Sequence, residues 1–242
     1  MSTEVLPYKN TTATKKEQVA EMFDKIAYRY DFLNQLFSLG IHKSWRKKVV
    51  KELKKEMPSI ILDVATGTAD LAIEISKLNP QKIVGVDISI KMLELGNKKV
   101  KEKLLDKLIE LKQADSENLP FSDNTFDAAT VAFGVRNFEN INKGLKDIQR
   151  ILKPGAKLIV LEFSKPKNFW VKKIYRFYFI KIIPAIGNFF SNNSAAYSYL
   201  PESVDAFPDG EKFIEIMKQC GFKDTGYRQL SFGIASIYTG KK

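Results

Sequence analysis

The sequence Ile61–Asp70, ILDVATGTAD, is the clearest indication of the fold. It reads as an apolar strand that ends in a turn of small residues and continues into a helix. Small residues let the backbone approach a ligand closely, and open α/β sheets bind ligands at the carboxyl ends of their strands. The stretch therefore predicts a cofactor-binding turn that contains Asp63 and Gly67. Alone it is weak evidence, because an ordinary strand-to-helix connection can also contain a glycine.

From Pro58 onward, short apolar runs alternate with helical segments. The first five strand-like runs are Ile60–Ala65, Lys82–Val86, Ile109–Gln113, Phe126–Phe133 and Lys157–Phe163. This alternation predicts parallel strands joined by right-handed crossovers, and hence a doubly wound α/β sheet. The Lys153-Pro154-Gly155 sequence is expected to end the helix before the fifth strand. Two final runs, 226–230 and 233–238, are expected to form an antiparallel pair at the sheet edge.

Carboxylates recur at the predicted strand ends. Asp87 ends the second strand about 20 residues after Gly67, where its two oxygens can hold a ribose diol. Dinucleotide sites normally use three glycines and only Gly67 is present here, so the pattern favours S-adenosylmethionine. Asp115 follows the third strand and suits the adenine amino group. The series that resembles the class I methyltransferase superfamily is Asp63, Asp87, Asp115 and Asp127, together with Leu152–Ala156.

This resemblance implies a Rossmann-like class I methyltransferase fold, with a mostly parallel seven-stranded sheet and an antiparallel edge. Three other blocks are more specific: Phe23–Asn34, Phe133–Asn137 and Tyr199–Val204. They resemble the demethylmenaquinone and polyprenyl-methoxybenzoquinol methyltransferase family, in family order and over nearly the whole chain. The implied reaction is S-adenosylmethionine-dependent C-methylation of demethylmenaquinol to menaquinol in menaquinone biosynthesis, with S-adenosylhomocysteine released. The alternative acceptor is the 2-polyprenyl-6-methoxy-1,4-benzoquinol of ubiquinone biosynthesis.

The resemblance also implies site residues. Besides Asp63 and Gly67, the expected cofactor contacts are Thr68, Asp87, Asp115 and Ser116. The resemblance places Arg136 and Asn137 beside the quinol ring. Family members often have serine where this chain has Ala132, so a hydroxyl contact from that position is absent here.

Arg136 follows the fourth predicted strand and is expected at the mouth of the crevice. A guanidinium there can stabilise a phenolate and make the adjacent ring carbon more nucleophilic. Arg136 is therefore predicted to be catalytic, with Asn137 and Tyr30 orienting the hydroxyl groups. The only histidine is His42, which leaves the commonest general base nearly unavailable. The alternative role for Arg136 is that of a surface residue capping the next helix.

Length and composition fit one large domain. The chain has 242 residues, of which 44% are hydrophobic. Cys220 is the only cysteine, and no cysteine and histidine cluster has metal-ligand spacing, so a reducing compartment and a metal-free site are expected. No secretory signal and no apolar run of about 18 residues is visible, which predicts a cytoplasmic protein.

The predicted organisation has five parts. Residues 1–17 are polar and are expected to form a flexible tail. An amphipathic helix from Val19 and a second one around Trp45 predict a helical cap over 18–57. The remaining parts are a cofactor-binding core at 58–164, a basic aromatic segment at 165–205, and a C-terminal helix with two strands at 206–242.

The net charge of +11 favours anionic partners. No acidic residue occurs between Glu162 and Glu202. The basic and aromatic residues of this stretch include Lys165, Lys167, Lys172, Lys173, Arg176 and Lys181, with Phe169, Trp170, Tyr175, Phe177, Tyr178, Phe179, Phe189 and Phe190. Such a segment suits peripheral contact with an anionic membrane surface, on the inner face of the cytoplasmic membrane. The alternatives are a lid helix packed on the core and an exposed face that forms a homodimer.

Two other function classes stay open. A nucleic-acid methyltransferase would explain the positive charge and the aromatic residues. No appended nucleic-acid module is visible, however, and Cys220 lies on a late helix rather than at a strand end, so no nucleic-acid partner is expected. A non-catalytic assembly factor for quinone synthesis is disfavoured by the intact set of Asp63, Gly67 and Asp87.

Overall fold

The computed structural model describes residues 5–8, 11–38, 40–178 and 194–242. Its strands are β1 Ile60–Val64, β2 Lys82–Asp87, β3 Ile109–Gln113, β4 Phe126–Ala132, β5 Leu152–Phe163, β6 Lys223–Leu230 and β7 Ala235–Lys241. The helices of the described residues are α1 Lys15–Phe37, α2 Ile41–Lys54, α3 Asp70–Ile75, α4 Ile90–Glu102, α5 Ile141–Ile151, α6 Phe169–Phe177, α7 Ser194–Ala206 and α8 Glu211–Gln219. Short 3-10 turns cover 76–78, 135–137 and 231–233.

The strands form a seven-stranded sheet in the order β3-β2-β1-β4-β5-β7-β6. The pairs β1–β2, β1–β4, β2–β3 and β4–β5 are parallel. Strand β7 is antiparallel to both β5 and β6. The predicted α/β fold, a mostly parallel sheet with an antiparallel edge, is therefore confirmed.

Helices cover both faces of the sheet. Successive side chains of a strand point to opposite faces. Ile61 accordingly packs with residues of α2 and α3, and its neighbour Leu62 packs with residues of α5 and α8. A strand buried on both sides needs apolar residues at consecutive positions, which explains the apolar run of β1. The carboxyl ends of the parallel strands then form the edge at which a ligand can bind.

The connection before β5 differs from the prediction. Helix α5 ends at Ile151, but pairing with β4 already begins at Leu152, opposite Phe126. Pairing resumes at Lys157, opposite Ala128, so residues 153–156 form a bulge within β5 rather than a loop before it. Gly155, with φ of +77°, supplies the left-handed conformation that this bulge requires.

Residues 15–17 are helical, so the prediction that the flexible tail extends to residue 17 is wrong for its last three residues. Helix α1 begins at Lys15, because Thr14 and Glu17 form a capping box. The backbone N–H of Thr14 donates to Glu17 Oε2 at 2.8 Å. Upstream, the backbone N–H of Tyr8 donates to Gln18 Oε1 at 2.9 Å. The described residues 5–8 therefore pack against α1.

The helical-cap prediction is wrong for α2. Its residues Trp45, Val49 and Leu53 are buried in the same cluster as Ile61 and Ile159 of the sheet. Helix α2 therefore belongs to the layer that covers one face of the sheet. Its amphipathic pattern is the same for packing on a sheet as for a cap, so the sequence alone could not distinguish the two positions.

The basic aromatic segment 165–205 is described in part. Helix α6 exposes Phe169, Trp170 and Phe177, whereas Tyr199 and Val204 of α7 are buried. The residues of this segment named above that lie outside the described part are Phe179, Lys181, Phe189 and Phe190, together with the side chains of Tyr175 and Arg176. No helix in the described ranges combines the length and the apolar character needed to cross a membrane.

Candidate active site

Asp63 holds the turn after β1 together. Its carboxylate is buried, with Oδ2 accepting from Thr66 Oγ1 at 2.6 Å and Oδ1 accepting from Thr130 Oγ1 at 2.7 Å. Burial raises the pKa of Asp63 to about 6, although both hydrogen bonds act in the opposite direction. The side chain therefore joins the turn to β4.

Gly67 and Asp87 form a cradle above this turn. Gly67 has φ of +56°, and no heavy atom would lie within 4 Å of a Cβ placed there. Its backbone N–H donates to Asp87 Oδ2 at 2.8 Å, and the N–H of Ser89 donates to Asp87 Oδ1 at 2.9 Å. Burial raises the pKa of Asp87 above its usual range. The turn thus presents open space next to a carboxylate oriented by two backbone donors.

Two adjoining cavities lie along the strand ends, with volumes of about 400 Å³ and about 70 Å³. The larger is lined by Tyr30, Asp63, Thr68 and Arg136, and the smaller by Asp87, Asp115, Ser116 and Asn137, with Gly67 in both walls. All nine predicted site residues therefore line one cavity or the other. The remaining wall of the larger cavity is largely apolar and includes Phe23, Leu33, Trp45, Phe133, Phe163, Val171 and Leu200.

Helix α1 is attached across the cavities by polar contacts. Lys16 Nζ lies 3.0 Å from Asp115 Oδ2, at the end of β3. Ser89 Oγ donates to Asp24 Oδ1 at 2.6 Å. Thr68 Oγ1 donates to Asp31 at 2.7 Å. Asp115 and Thr68, both expected to contact a cofactor, are thus also partners of α1.

Arg136 is paired with a carboxylate that sequence reasoning missed. The 3-10 turn at 135–137 brings Arg136 Nη1 to 2.9 Å from Oε1 of Glu162, which is fully buried in β5. The guanidinium also lies over the ring of Phe163 and donates to the carbonyl of Phe133. Its Nε has no hydrogen-bond partner within the described ranges. The helix-capping alternative is wrong, because Asn140 caps α5. An acid inside the apolar run of β5 was the available signal for this pair.

Asn137 and Tyr30 flank the boundary between the cavities. Asn137 Nδ2 donates weakly to Phe133 O at 3.4 Å, and its buried Oδ1 has no hydrogen-bond partner in the part of the chain described. Tyr30 lines both cavities from α1. Burial raises the pKa of Tyr30, with a hydrogen bond to Asn34 and the charge of Arg136 opposing the shift. Its hydroxyl therefore stays protonated at neutral pH.

His42 also lies in the wall of the larger cavity. Its imidazole is buried near the start of α2 and contacts Ser38 Oγ through Nδ1. Burial, reinforced by the charge of Arg46, lowers the pKa of His42 to about 4. His42, the only histidine in the sequence, is thus a neutral imidazole in the cavity wall. Only the packing of α2 against α3 and the contact with Ser38 reveal this position.

The strand order, the left-handed glycine after β1 and the half-buried carboxylate at the end of β2 define a class I S-adenosylmethionine-dependent methyltransferase. The residues present fit this cofactor, because the turn leaves open space above Gly67 beside the Asp87 carboxylate. The chain belongs to the ubiE/COQ5 methyltransferase family, whose model matches residues 11–242.

Similar proteins support this assignment. The chain is 45% identical to the demethylmenaquinone methyltransferase of Porphyromonas gingivalis, over 98% of both chains. It is 47% identical to the ubiquinone/menaquinone biosynthesis C-methyltransferase UbiE of Geotalea daltonii, over 94% of this chain and 97% of the other.

Solved structures share the fold at low sequence identity. An S-adenosylmethionine-dependent methyltransferase of Thermotoga maritima has a TM-score of 0.66 at 21% identity, covering 92% of this chain and 99% of that one. Phosphoethanolamine N-methyltransferase 2 of Haemonchus contortus, in complex with S-adenosyl-L-methionine, has a TM-score of 0.65 at 14% identity. The match covers 97% of this chain and 61% of that one.

Proposed function

We propose that this enzyme methylates a ring carbon of demethylmenaquinol to give menaquinol. The observation that carries the proposal is the cavity of about 400 Å³, which begins at the cofactor turn and is walled mainly by aromatic and aliphatic side chains. A quinol ring with an isoprenoid tail needs such a wall, with few polar groups to orient its hydroxyls. The names of the relatives from Porphyromonas gingivalis and Bacteroides fragilis support this acceptor. A polyprenylated benzoquinol is the second candidate, supported by the UbiE relatives.

We assign the cofactor to the cradle as follows. The open backbone at Gly67 admits its methionine portion, with Asp63 and Thr68 shaping that wall. Asp87 accepts hydrogen bonds from the ribose hydroxyls, and Asp115 and Ser116 lie on the adenine side in the smaller cavity. When bound, S-adenosylmethionine supplies a methyl group already activated by a positive sulfur.

The chain's own contribution to the reaction is to orient the acceptor and exclude water. Arg136 lines the larger cavity and is held there by its pairing with Glu162, so we assign its guanidinium to the quinol oxygen. The amide of Asn137, in the wall of the smaller cavity, and the protonated hydroxyl of Tyr30 orient the hydroxyl groups. The apolar wall keeps the reacting carbon away from water.

We also propose that α6 contacts an anionic membrane from which the substrate enters. Phe169 and Trp170 are each 68% exposed, and Lys172 and Lys173 on the same helix are exposed as well. Val171, between these residues, lines the larger cavity. This arrangement would let the isoprenoid tail remain in lipid while the ring enters the site. A second copy of the chain is the competing occupant of this surface, and light scattering of the lipid-free protein distinguishes the two.

The test uses the purified full-length protein, S-adenosylmethionine and a short-tailed demethylmenaquinol kept reduced. Mass spectrometry should detect the addition of one methyl group to the quinol and none to the oxidised quinone, because only the quinol can form a phenolate. If only a benzoquinol is methylated, the acceptor is the polyprenylated benzoquinol and not demethylmenaquinol. If neither quinol is methylated although calorimetry shows cofactor binding, the proposed function is wrong, and RNA is the next substrate to assay.

A further inference from the structure

His42 is a buried polar group that belongs neither to the cofactor cradle nor to the groups that orient the quinol hydroxyls. Only 6% of its surface is exposed, and its imidazole shares the wall of the larger cavity with Asp63, Gly67 and Arg136. That cavity is where the cofactor turn and the proposed quinol site meet. A histidine in this position can contact the acceptor directly.

The hydrogen bonds of Ser38 determine which imidazole nitrogen carries the proton. Ser38 Oγ donates to the carbonyl oxygen of Asn34 at 2.6 Å, and a carbonyl oxygen can only accept. The single hydroxyl proton of Ser38 is thereby used. In its contact with His42, Ser38 Oγ must therefore accept, and Nδ1–H of His42 donates. A neutral imidazole has one N–H, so Nε2 keeps a free lone pair.

The surroundings keep this imidazole neutral. The charged groups that face it are Arg46 and Lys43 of α2, Asp70 of α3 and Asp31 of α1. Burial and the two positive residues lower the pKa of His42 more than the two carboxylates raise it. No hydrogen bond to Nε2 is formed within the described part of the chain.

We propose that His42 Nε2 accepts the proton of the quinol hydroxyl, and this rests on the proposed quinol substrate. The O–H bond breaks and an Nε2–H bond forms in the same step in which the ring carbon next to that oxygen bonds to the methyl group. The methyl–sulfur bond breaks in that step, and the sulfur keeps the electron pair. Loss of the ring carbon's hydrogen to water and return of the imidazolium proton to the oxygen restore the aromatic ring. One proton is released per turnover.

Two variants separate proton transfer from packing. His42→Asn keeps an amide N–H near the position of Nδ1, so it can still donate to Ser38, but it lacks Nε2. His42→Gln places an amide oxygen near Nε2, which accepts a hydrogen bond but does not take up the proton. Lys47→Ala, at an exposed position of the same helix, is the matched control. Cofactor affinity by calorimetry and thermal melting should be similar in all four proteins.

We expect both His42 variants to turn over reduced demethylmenaquinol about 100-fold more slowly than wild type at pH 7, as for loss of a general base. Their rates should rise about tenfold per pH unit toward the hydroxyl pKa of the quinol, because solvent then removes the proton. The wild-type rate should depend much less on pH over the same range. If a folded, cofactor-binding His42→Asn enzyme keeps the wild-type rate and pH profile, the role of His42 is refuted while the quinol reaction stands. If wild type itself does not methylate quinol, the proposed function fails instead.

Discussion

The guanidinium of Arg136 and the carboxylate of Glu162 form a buried ion pair, with 2.9 Å between Nη1 and Oε1. The backbone N–H of Arg136 also donates to Glu162 Oε2 at 3.3 Å. The pair therefore fixes the 3-10 turn after β4 to the end of β5. It also gives the charge of Arg136, which lines the larger cavity, a buried counter-charge, without which that charge would be costly.

Removing the acid alone should destabilise the protein strongly. In Glu162→Gln, the charge of Arg136 stays buried without its counter-charge, so the free energy of unfolding should fall by about 3 kcal/mol. The measurement is urea denaturation followed by circular dichroism. In the double variant Glu162→Gln with Arg136→Met, neither charge is buried, and much of this loss should be recovered. Equal losses in the single and double variants would show that the pair is not coupled.

Gly67→Ala should weaken cofactor binding beyond its effect on stability. An added methyl group would enter the open space that we assign to S-adenosylmethionine, lowering the affinity about tenfold or more. The left-handed backbone costs about 1 kcal/mol of stability as well. Gly155→Ala is the matched control, because Gly155 also has positive φ and open surroundings but lies in the β5 bulge. Calorimetric titration should show weaker binding for the first variant only.

Reversing two charges on α6 should weaken membrane binding. Each lysine near an anionic surface contributes about 1 kcal/mol, so Lys172→Glu with Lys173→Glu should lower vesicle affinity by about thirtyfold or more. The control variant carries Lys98→Glu and Lys101→Glu, two exposed positions on α4. Co-sedimentation with vesicles containing anionic phospholipid measures both. Equal loss in the two variants would point to net charge rather than to α6.

Acid should destabilise the wild type more than a His42→Asn variant. The pKa of His42 in the folded protein, about 4, lies below its usual 6.5, so protonation favours the unfolded chain. The stability associated with neutral His42 is complete above pH 6.5 and is lost as the pH falls through 4. Asp63 acts in the opposite sense, because its raised pKa of about 6 makes its ionisation unfavourable to the folded state. Denaturation at pH 7 and pH 4.5 should therefore show a steeper loss in wild type than in His42→Asn, which retains Asp63.

Much of the fold was predictable because its signals are local. Strand β3 has the predicted bounds, Ile109–Gln113, and β1 and β4 end within one residue of the prediction. The capping box of Thr14 and Glu17 is also a local sequence signal. The predicted helix start at Val19 is four residues late because it was based on the apolar period alone. The position of α2 could not be predicted from the sequence, because the same apolar stripe is found on a cap helix and on a helix that packs against a sheet.

The class of fold and the set of strand-end residues follow from the amino-acid sequence, since periodicity and chain order dictate which side chains reach the carboxyl edge of a parallel sheet. What these side chains contact is established by the folded structure. The pairing of Arg136 with Glu162 joins the 3-10 turn after β4 to β5. The position of His42 in the cavity wall depends on the packing of α2 against α3 and on the contact with Ser38. Contacts between segments distant in the chain have no local periodicity, so burial and hydrogen bonding in the folded protein are what establish them.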